Sequence, residues 1–321
     1  MARALTYLSQ GRAALREVTE AEAGDVRVRT MWSGLSRGTE RLVWNGAVPD
    51  SQHRIMRAPF QRGDFPFPVA YGYAAVGMVE AGPPDLLERP VFCLYPHQDR
   101  FSVPADAVLP LPDGLPPRRA VLAANMETAL NGIWDSGAGP GDRIAIVGGG
   151  VLGFLLATLC ERMAGTEVFL IDREASRAAL ADHVNVLFSL PTNAPGDCDV
   201  VFHTTATEAG AATALESAGV EATVVEMSWF GDRVPSLPLG EGFHSRRLRY
   251  VSSQVGQVAP SRRPRWTHRR RLAKALDLLR DDRLDALITG EVAFEALPEA
   301  LPDLLAQDAP GLATAIRYEG A

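Results

Sequence analysis

Three glycines, Gly148, Gly150 and Gly153, have the spacing that lets a backbone close around phosphate. They lie in Asp142-Arg-Ile-Ala-Ile-Val-Gly-Gly-Gly-Val-Leu-Gly153, where an apolar strand-like run passes into an apolar helical one. The pattern G-x-G-x-x-G requires that context. Gly148 permits the tight turn, Gly150 lets the backbone approach a pyrophosphate, and Gly153 lets helix and strand pack closely. Val151 and Leu152 open the helix, whose free N–H groups and dipole stabilise phosphate oxygens. Nineteen residues past Gly153, Asp172 ends the run Val168-Phe-Leu-Ile171. A carboxylate there accepts hydrogen bonds from the adenosine ribose hydroxyls and repels a 2′-phosphate, which favours NAD over NADP. Arg173 pulls the other way, because a guanidinium pairs with that phosphate. The alternative is a purely structural glycine turn in a parallel α/β protein.

A second concentration of chemistry is basic. Arg262, Arg263, Arg265, Arg269, Arg270 and Arg271 fall within ten residues, beside Trp266 and His268. The segment reads either as a solvated basic helix start or as an anion site. Arginines gain nothing from the dipole at a helix N-terminus, so a bound anion would rationalise them. Arg263, Arg265 and Arg269 are the candidates to hold an anionic group of the substrate or the cofactor pyrophosphate.

The elements that must position these residues change character along the chain. Residues 1 to about 118 read as β-rich, with strands over Val26–Thr30, Val76–Glu80 and Pro90–Leu94. Leu109 to Pro117 is too rich in proline for a regular element and reads as an extended connector. Strands and helices then alternate. Helical spacing covers Ala120–Trp134, Val151–Met163, Ala175–Ala181 and Ala209–Ala218. Strands cover Asp142–Val147, Glu167–Ile171, Asp199–Phe202, Thr223–Met227 and Leu248–Ser252. Such alternation implies a parallel, doubly wound sheet. The last part predicts a helix near Arg269–Arg280, a strand near Ala286–Val292 and a helix near Pro298–Ala306.

Composition narrows the partners. The 321 residues carry a net charge of −7, which disfavours nucleic acid and anionic membranes. Ile144 to Cys160 has no charge over 17 residues, near the lower limit for a membrane span, but its glycines favour a strand, turn and buried helix. Cys93, Cys160 and Cys198 are odd in number and far apart, which fits a reducing compartment and excludes a four-cysteine zinc site. With no apolar leader at the N-terminus, the expectation is a cytoplasmic protein.

Over nearly its full length the chain resembles the medium-chain dehydrogenases/reductases. The carriers are Gly34-Leu-Ser-Arg-Gly-Thr-Glu40, Pro68-Val-Ala-Tyr-Gly-Tyr-Ala-Ala-Val-Gly77, the glycine fingerprint and Leu284-Asp-Ala-Leu-Ile-Thr289. Within that family it resembles the bacteriochlorophyllide dehydrogenase-like group. The motifs are Ser33-Gly-Leu-Ser-Arg-Gly-Thr-Glu40, Trp44-Asn-Gly46, Phe243-His-Ser-Arg-Arg-Leu248 and Ser252-Ser-Gln-Val-Gly256. The resemblance implies an α/β chain with a GroES-like β-barrel substrate domain over 1–118 and a Rossmann domain over 119–257. Residues 258–321 then return to the substrate domain. It also implies a homodimer joined through Rossmann domains.

The departures from the family bear on mechanism. Zinc-dependent members place a cysteine in the first motif, a His-Glu pair in the second, and a further Cys or Glu before the Rossmann domain. Here those positions hold Ser36 or Arg37, then Tyr73 and Ala74, then Ala124 or Asn125, none a good zinc ligand. The cysteine-rich loop for a structural zinc is also missing, so no metal is expected. The resemblance places Ser36, Arg37, Thr39, Tyr73 and Asn125 at the border of the substrate cleft. Ser36 and Tyr73 can exchange a hydrogen bond with substrate, Asn125 can polarise a carbonyl, and Arg37 could instead reach the pyrophosphate. Glu127 and His97 are candidate proton handlers. The plainer alternatives are a core tyrosine at 73, a helix-start carboxylate at 127 and a loop or surface histidine at 97.

The expectation is therefore NAD-linked hydride transfer between nicotinamide and a small alcohol or carbonyl substrate, anionic if the arginines bind it, without zinc. A quinone or enone reductase is the enzymatic alternative. A non-catalytic, nucleotide-binding redox sensor is the alternative outside enzymes.

Overall fold

The computed structural model describes residues 1–19 and 24–319. It contains two compact units, Met1–Ala124 with Leu276–Ala321, and Asn125–Ala275.

The first unit is built on antiparallel strands. Val26–Leu35 alternates as expected, Val26 and Val28 inward and Arg27 outward, and it is longer than the alternation alone indicates. It pairs with Ala75–Ala81, Arg100–Val103 and Ala313–Arg317. The last pairing brings the C-terminal segment into the unit's seven-stranded sheet. A smaller sheet of four strands includes Ala2–Ser9 and Arg12–Val18. Val91, Phe101 and Val103 lie at the core of the seven-stranded sheet with Val26 and Val28, all at most 1% exposed.

Two local features differ from the sequence expectation. Val108–Pro110 forms a short strand at the sheet edge, where a proline's missing N–H costs no ladder bond. Arg37–Trp44 is a helix inside the β-rich region. Its Gly38 and Thr39 are weak helix formers, which hid it. Tertiary bonds stabilise it: Arg37 donates to the carbonyls of Ala309, Pro310 and Gly311, and Arg41 to those of Leu305 and Ala306.

The second unit carries a parallel sheet. Its strand order is Leu187–Ser189, Glu167–Ile171, Arg143–Val147, Cys198–His203, Ala218–Glu226, Arg249–Ser252. This is the doubly wound order 3-2-1-4-5-6, in which dinucleotides bind at the carboxyl ends where strand order reverses. Ile144, Ile146, Val201, Phe202, Val224 and Val225 are fully buried, which explains why these strands read as apolar runs. The helix Val151–Glu161 buries eight consecutive residues, Gly153–Cys160, and is a core helix. Among the described residues no helix is long and apolar enough to cross a membrane.

One ion pair ties the ends of the first unit together. Arg119 donates to both oxygens of Asp285, at 2.8 and 2.6 Å, and to the carbonyls of Leu279 and Arg280. Hydrogen bonding to Arg119 holds the Asp285 carboxyl below the usual carboxylate range. A depressed carboxyl stabilises the fold above its unfolded value of about 4, and the contribution is lost as pH falls through the folded value. Arg119→Met should lower the unfolding free energy at pH 7 by about 1–2 kcal/mol, because Asp285 is half-exposed and solvent screens the pair. The difference from the parent should shrink below about pH 4. Denaturant melts at a series of pH values check both.

Candidate functional site

The glycine fingerprint folds as strand, turn and helix, and its three glycines differ in what demands them. Gly148 has φ +118° and donates its N–H to the Ile171 carbonyl at 2.8 Å. A side chain there would meet Thr204 Oγ1 at 2.3 Å. A Cβ on Gly153 would lie 1.8 Å from the Gly148 carbonyl oxygen. Both glycines are thus required by the protein's own packing. A Cβ on Gly150 would meet nothing within 4 Å. Gly150 is also the N-cap of Val151–Glu161, with no side chain to satisfy the first N–H groups, those of Val151 and Leu152 included. The open face and uncapped helix start form a cradle that fits a pyrophosphate.

Asp172 braces this cradle. Its Oδ2 accepts the Gly149 N–H at 2.6 Å and its Oδ1 accepts the Glu174 N–H at 2.8 Å. Each oxygen keeps further acceptor capacity for a ribose hydroxyl. Arg173 is exposed and lies 3.4 Å from Glu174. Behind the turn, His203 ends the fourth strand in sheet order and bonds Glu226 Oε2 through Nδ1 and Thr205 Oγ1 through Nε2, both at 2.7 Å. Tyr250 donates to the same carboxylate oxygen. Burial pushes the Glu226 carboxyl up, but hydrogen bonds from His203, Tyr250 and Ser228 outweigh it and hold the group low.

The arginine segment is not uniform. Arg271 is 1% exposed and joins Glu127 Oε1 at 3.0 Å, Asn131 Oδ1 at 2.5 Å and the carbonyls of Gln257 and Val255. Glu127 and Asn131 present their acceptors four residues apart on one helix face. Burial pushes the Glu127 carboxyl up against the opposing pull of Arg271. Arg262 stacks over Trp134 and Arg270 over Trp266, at 5.5 and 4.0 Å. Arg263 is exposed and donates to the Val258 carbonyl; Arg265 and Arg269 are exposed. Asn125 is half-buried in the first turn of Ala123–Ser136.

In the first unit, the residues picked out from the sequence meet a buried polar chain that the sequence did not reveal. Tyr73 donates to Ser36 Oγ, and Thr39 also hydrogen-bonds the Tyr73 hydroxyl. Glu40 is fully buried, and three groups converge on its carboxylate. They are the Ser36 N–H at 2.7 Å, the Tyr7 hydroxyl at 2.7 Å and His97 Nε2 at 3.0 Å. His97 is itself fully buried, so it is neither a surface nor an exposed loop histidine. Its Nδ1 lies 2.8 Å from Ser33 Oγ, which in turn meets the Tyr318 hydroxyl at 3.0 Å. A neutral ring donating from Nε2 to Glu40 and accepting at Nδ1 from Ser33 satisfies every member. Gly72, at φ +112°, makes room for the ring, since a Cβ there would lie 2.8 Å from His97 Cδ2. That glycine between two tyrosines is the one sequence signal pointing to the arrangement.

The donor set does not fit zinc. Ser36 and Tyr73 bond to each other, and Cys93 is 1% exposed with its thiol pushed up by burial. Among the described residues no group of three or more His, Cys, Asp or Glu side chains is placed to hold a metal.

No family model matches the chain. Solved structures do resemble it. A dehydrogenase of Sinorhizobium meliloti 1021 bound to NADP is similar over 99% of both chains, with TM-score 0.78 and 19% identity. L-idonate 5-dehydrogenase of Escherichia coli K-12 is similar over 98% of both, with TM-score 0.80 and 13% identity. A short chain alcohol dehydrogenase of Escherichia coli CFT073 complexed with NADH is similar over 98% of this chain and 99% of its own. Its TM-score is 0.77 at 14% identity. The likeness shows the fold, a GroES-like β unit with a Rossmann unit.

The contrast between the glycines is testable. Gly150→Ala should melt within about 1 °C of the parent yet bind NADH at least tenfold more weakly, because its methyl group meets only the ligand. Gly153→Ala should lower thermal stability, because its Cβ collides with a backbone carbonyl. Thermal melts paired with fluorescence titration of NADH separate the two.

Proposed function

We propose that this chain is a nicotinamide-dependent oxidoreductase of the medium-chain type, working without zinc on a small alcohol or carbonyl substrate. The observation that carries the reading is the cradle at Gly150, open to a ligand and closed to nothing in the protein. The NADP- and NADH-bound proteins of like fold support it. When bound, the cofactor supplies or accepts a hydride at nicotinamide C4.

The protein's part is to hold the dinucleotide, orient the substrate and move a proton. Gly148, Gly150, Val151, Leu152 and Gly153 hold the pyrophosphate, and Asp172 takes the ribose hydroxyls. Tyr73 is the acid. Burial raises its hydroxyl to about 12, against its hydrogen bonds with Ser36 and Thr39, so it carries its proton at neutral pH. As a carbonyl carbon gains a hydride, the C=O electron pair moves to oxygen and takes the Tyr73 proton. Ser36 and Thr39 stabilise the phenolate left behind, which regains a proton from solvent. Asn125 remains a candidate, from the family resemblance, to polarise a carbonyl. Glu127, spent on Arg271, holds the fold of the Rossmann unit rather than handling protons. Arg263, Arg265 and Arg269 remain the proposed anion holders, and a homodimer the proposed assembly. A phenol kept protonated also suits quinone or enone reduction, where only a hydrogen-bond donor to oxygen is needed.

NADH should bind at least tenfold more tightly than NADPH, and Asp172→Ala should narrow that gap, because the Asp172 charge repels a 2′-phosphate. Calorimetric titration of both cofactors reads it; tighter NADPH binding would overturn the assignment. Elemental analysis of purified protein should find far less than one zinc per chain, and turnover should survive chelation.

A further inference from the structure

Ser36 occupies the N-cap of the helix Arg37–Trp44, where a serine hydroxyl ordinarily accepts a backbone N–H of the first turn. Here the hydroxyl makes no such bond; it accepts from Tyr73 instead. Glu40, one residue past the position a capping box uses, accepts the Ser36 N–H at its Oε1 at 2.7 Å. Glu40 thus fixes the serine backbone while leaving its side chain for the tyrosine.

The carboxylate that does this is fully buried. Among the described residues it is held by the Ser36 N–H, the Tyr7 hydroxyl and His97, with no arginine or lysine among these donors. Such a group persists in the interior only when donors converge on it. Those donors are fixed in turn: Tyr7 belongs to the strand Ala2–Ser9, and His97 is seated on Ser33 and against Gly72.

We propose that Glu40 is a positioning residue for the Ser36–Tyr73 hydroxyl pair, anchoring Ser36 by its backbone and setting the pair to meet a ligand as a proton donor. The partner of that pair is then an acceptor oxygen, the carbonyl of a ketone, aldehyde or quinone. This choice of substrate rests on the oxidoreductase reading; the link between Glu40 and Tyr73 does not.

The groups facing Tyr73 are Ser36, Thr39, Glu40 and the edge of the Tyr71 ring. Burial raises the Tyr73 hydroxyl, the Ser36 and Thr39 hydrogen bonds lower it, and the Glu40 charge raises it. The same charge acts in the same sense on Tyr7, Tyr71 and Tyr318. Burial is the largest cause for all four phenols, and the charge of one buried carboxylate adds to it.

The test needs no substrate. The protein's six tyrosines are labelled with 13C at Cζ, the Tyr73 signal is identified by its loss in Tyr73→Phe, and each variant is titrated by NMR. The parent signal should stay that of a neutral phenol to about pH 11. Glu40→Gln should lower its midpoint, and Glu40→Asp, which keeps the charge, should restore it toward the parent. An unchanged midpoint in Glu40→Gln overturns the proposal. So does a parent midpoint near the ordinary tyrosine value of about 10, which decides the matter even if the glutamine variant does not fold. Failure of the oxidoreductase reading would show separately, as absence of NADH binding in the parent.

Discussion

Taking a carboxylate out of water is costly unless donors replace its hydration, and much of this structure is arranged around that constraint. Glu40 sits at zero exposure in the first unit and gathers Ser36, Tyr7 and His97. To hold the imidazole there, Ser33 and Tyr318 must stand behind it, and residue 72 must be glycine. The antiparallel pairing of Val26–Leu35 with Ala313–Arg317 places Ser33 beside the chain end that carries Tyr318. The C-terminal segment is therefore part of the polar core as well as of the sheet.

The second unit meets the same constraint in other ways. Glu127 is matched by a buried guanidinium, Arg271, whose remaining donors are absorbed by Asn131 and two carbonyls. Glu226 is matched by His203, Tyr250 and a backbone N–H. Breaking such a pair is costlier than never building it, because the survivor stays buried without its partner. In the glycine turn itself, Asp172 and Thr204 pack against Gly149 and Gly148, and only Gly150 keeps an open face.

The proposed chemistry turns on Ser36 and Tyr73, which bond to each other in the first unit. A zinc ion polarises a substrate oxygen by charge. Ser36 and Tyr73 can act on it only by hydrogen bonding and by giving up a proton. Burial raises the Tyr73 hydroxyl, so within the protein this phenol is a hydrogen-bond donor.

What could be read from the sequence was what is local in the chain. Strand, glycine turn, helix and the following acid lie within about thirty residues, and their geometry follows from backbone sterics and helix dipoles. The alternation of Val26–Thr30 and the apolar parallel strands were legible for the same reason. Six neighbouring arginines looked alike in the sequence, yet the fold buries one on Glu127, stacks two on tryptophans and leaves others in solvent. Residues 7, 33, 40, 97 and 318 gave no joint signal, because no periodicity relates positions so far apart. Only strand pairing and the close approach allowed at Gly72 bring them together. The sequence alone determined the glycine turn and the apolar strands beside it; the tertiary structure decided which buried hydroxyls meet, because a buried hydrogen-bond network is defined by contacts across the fold.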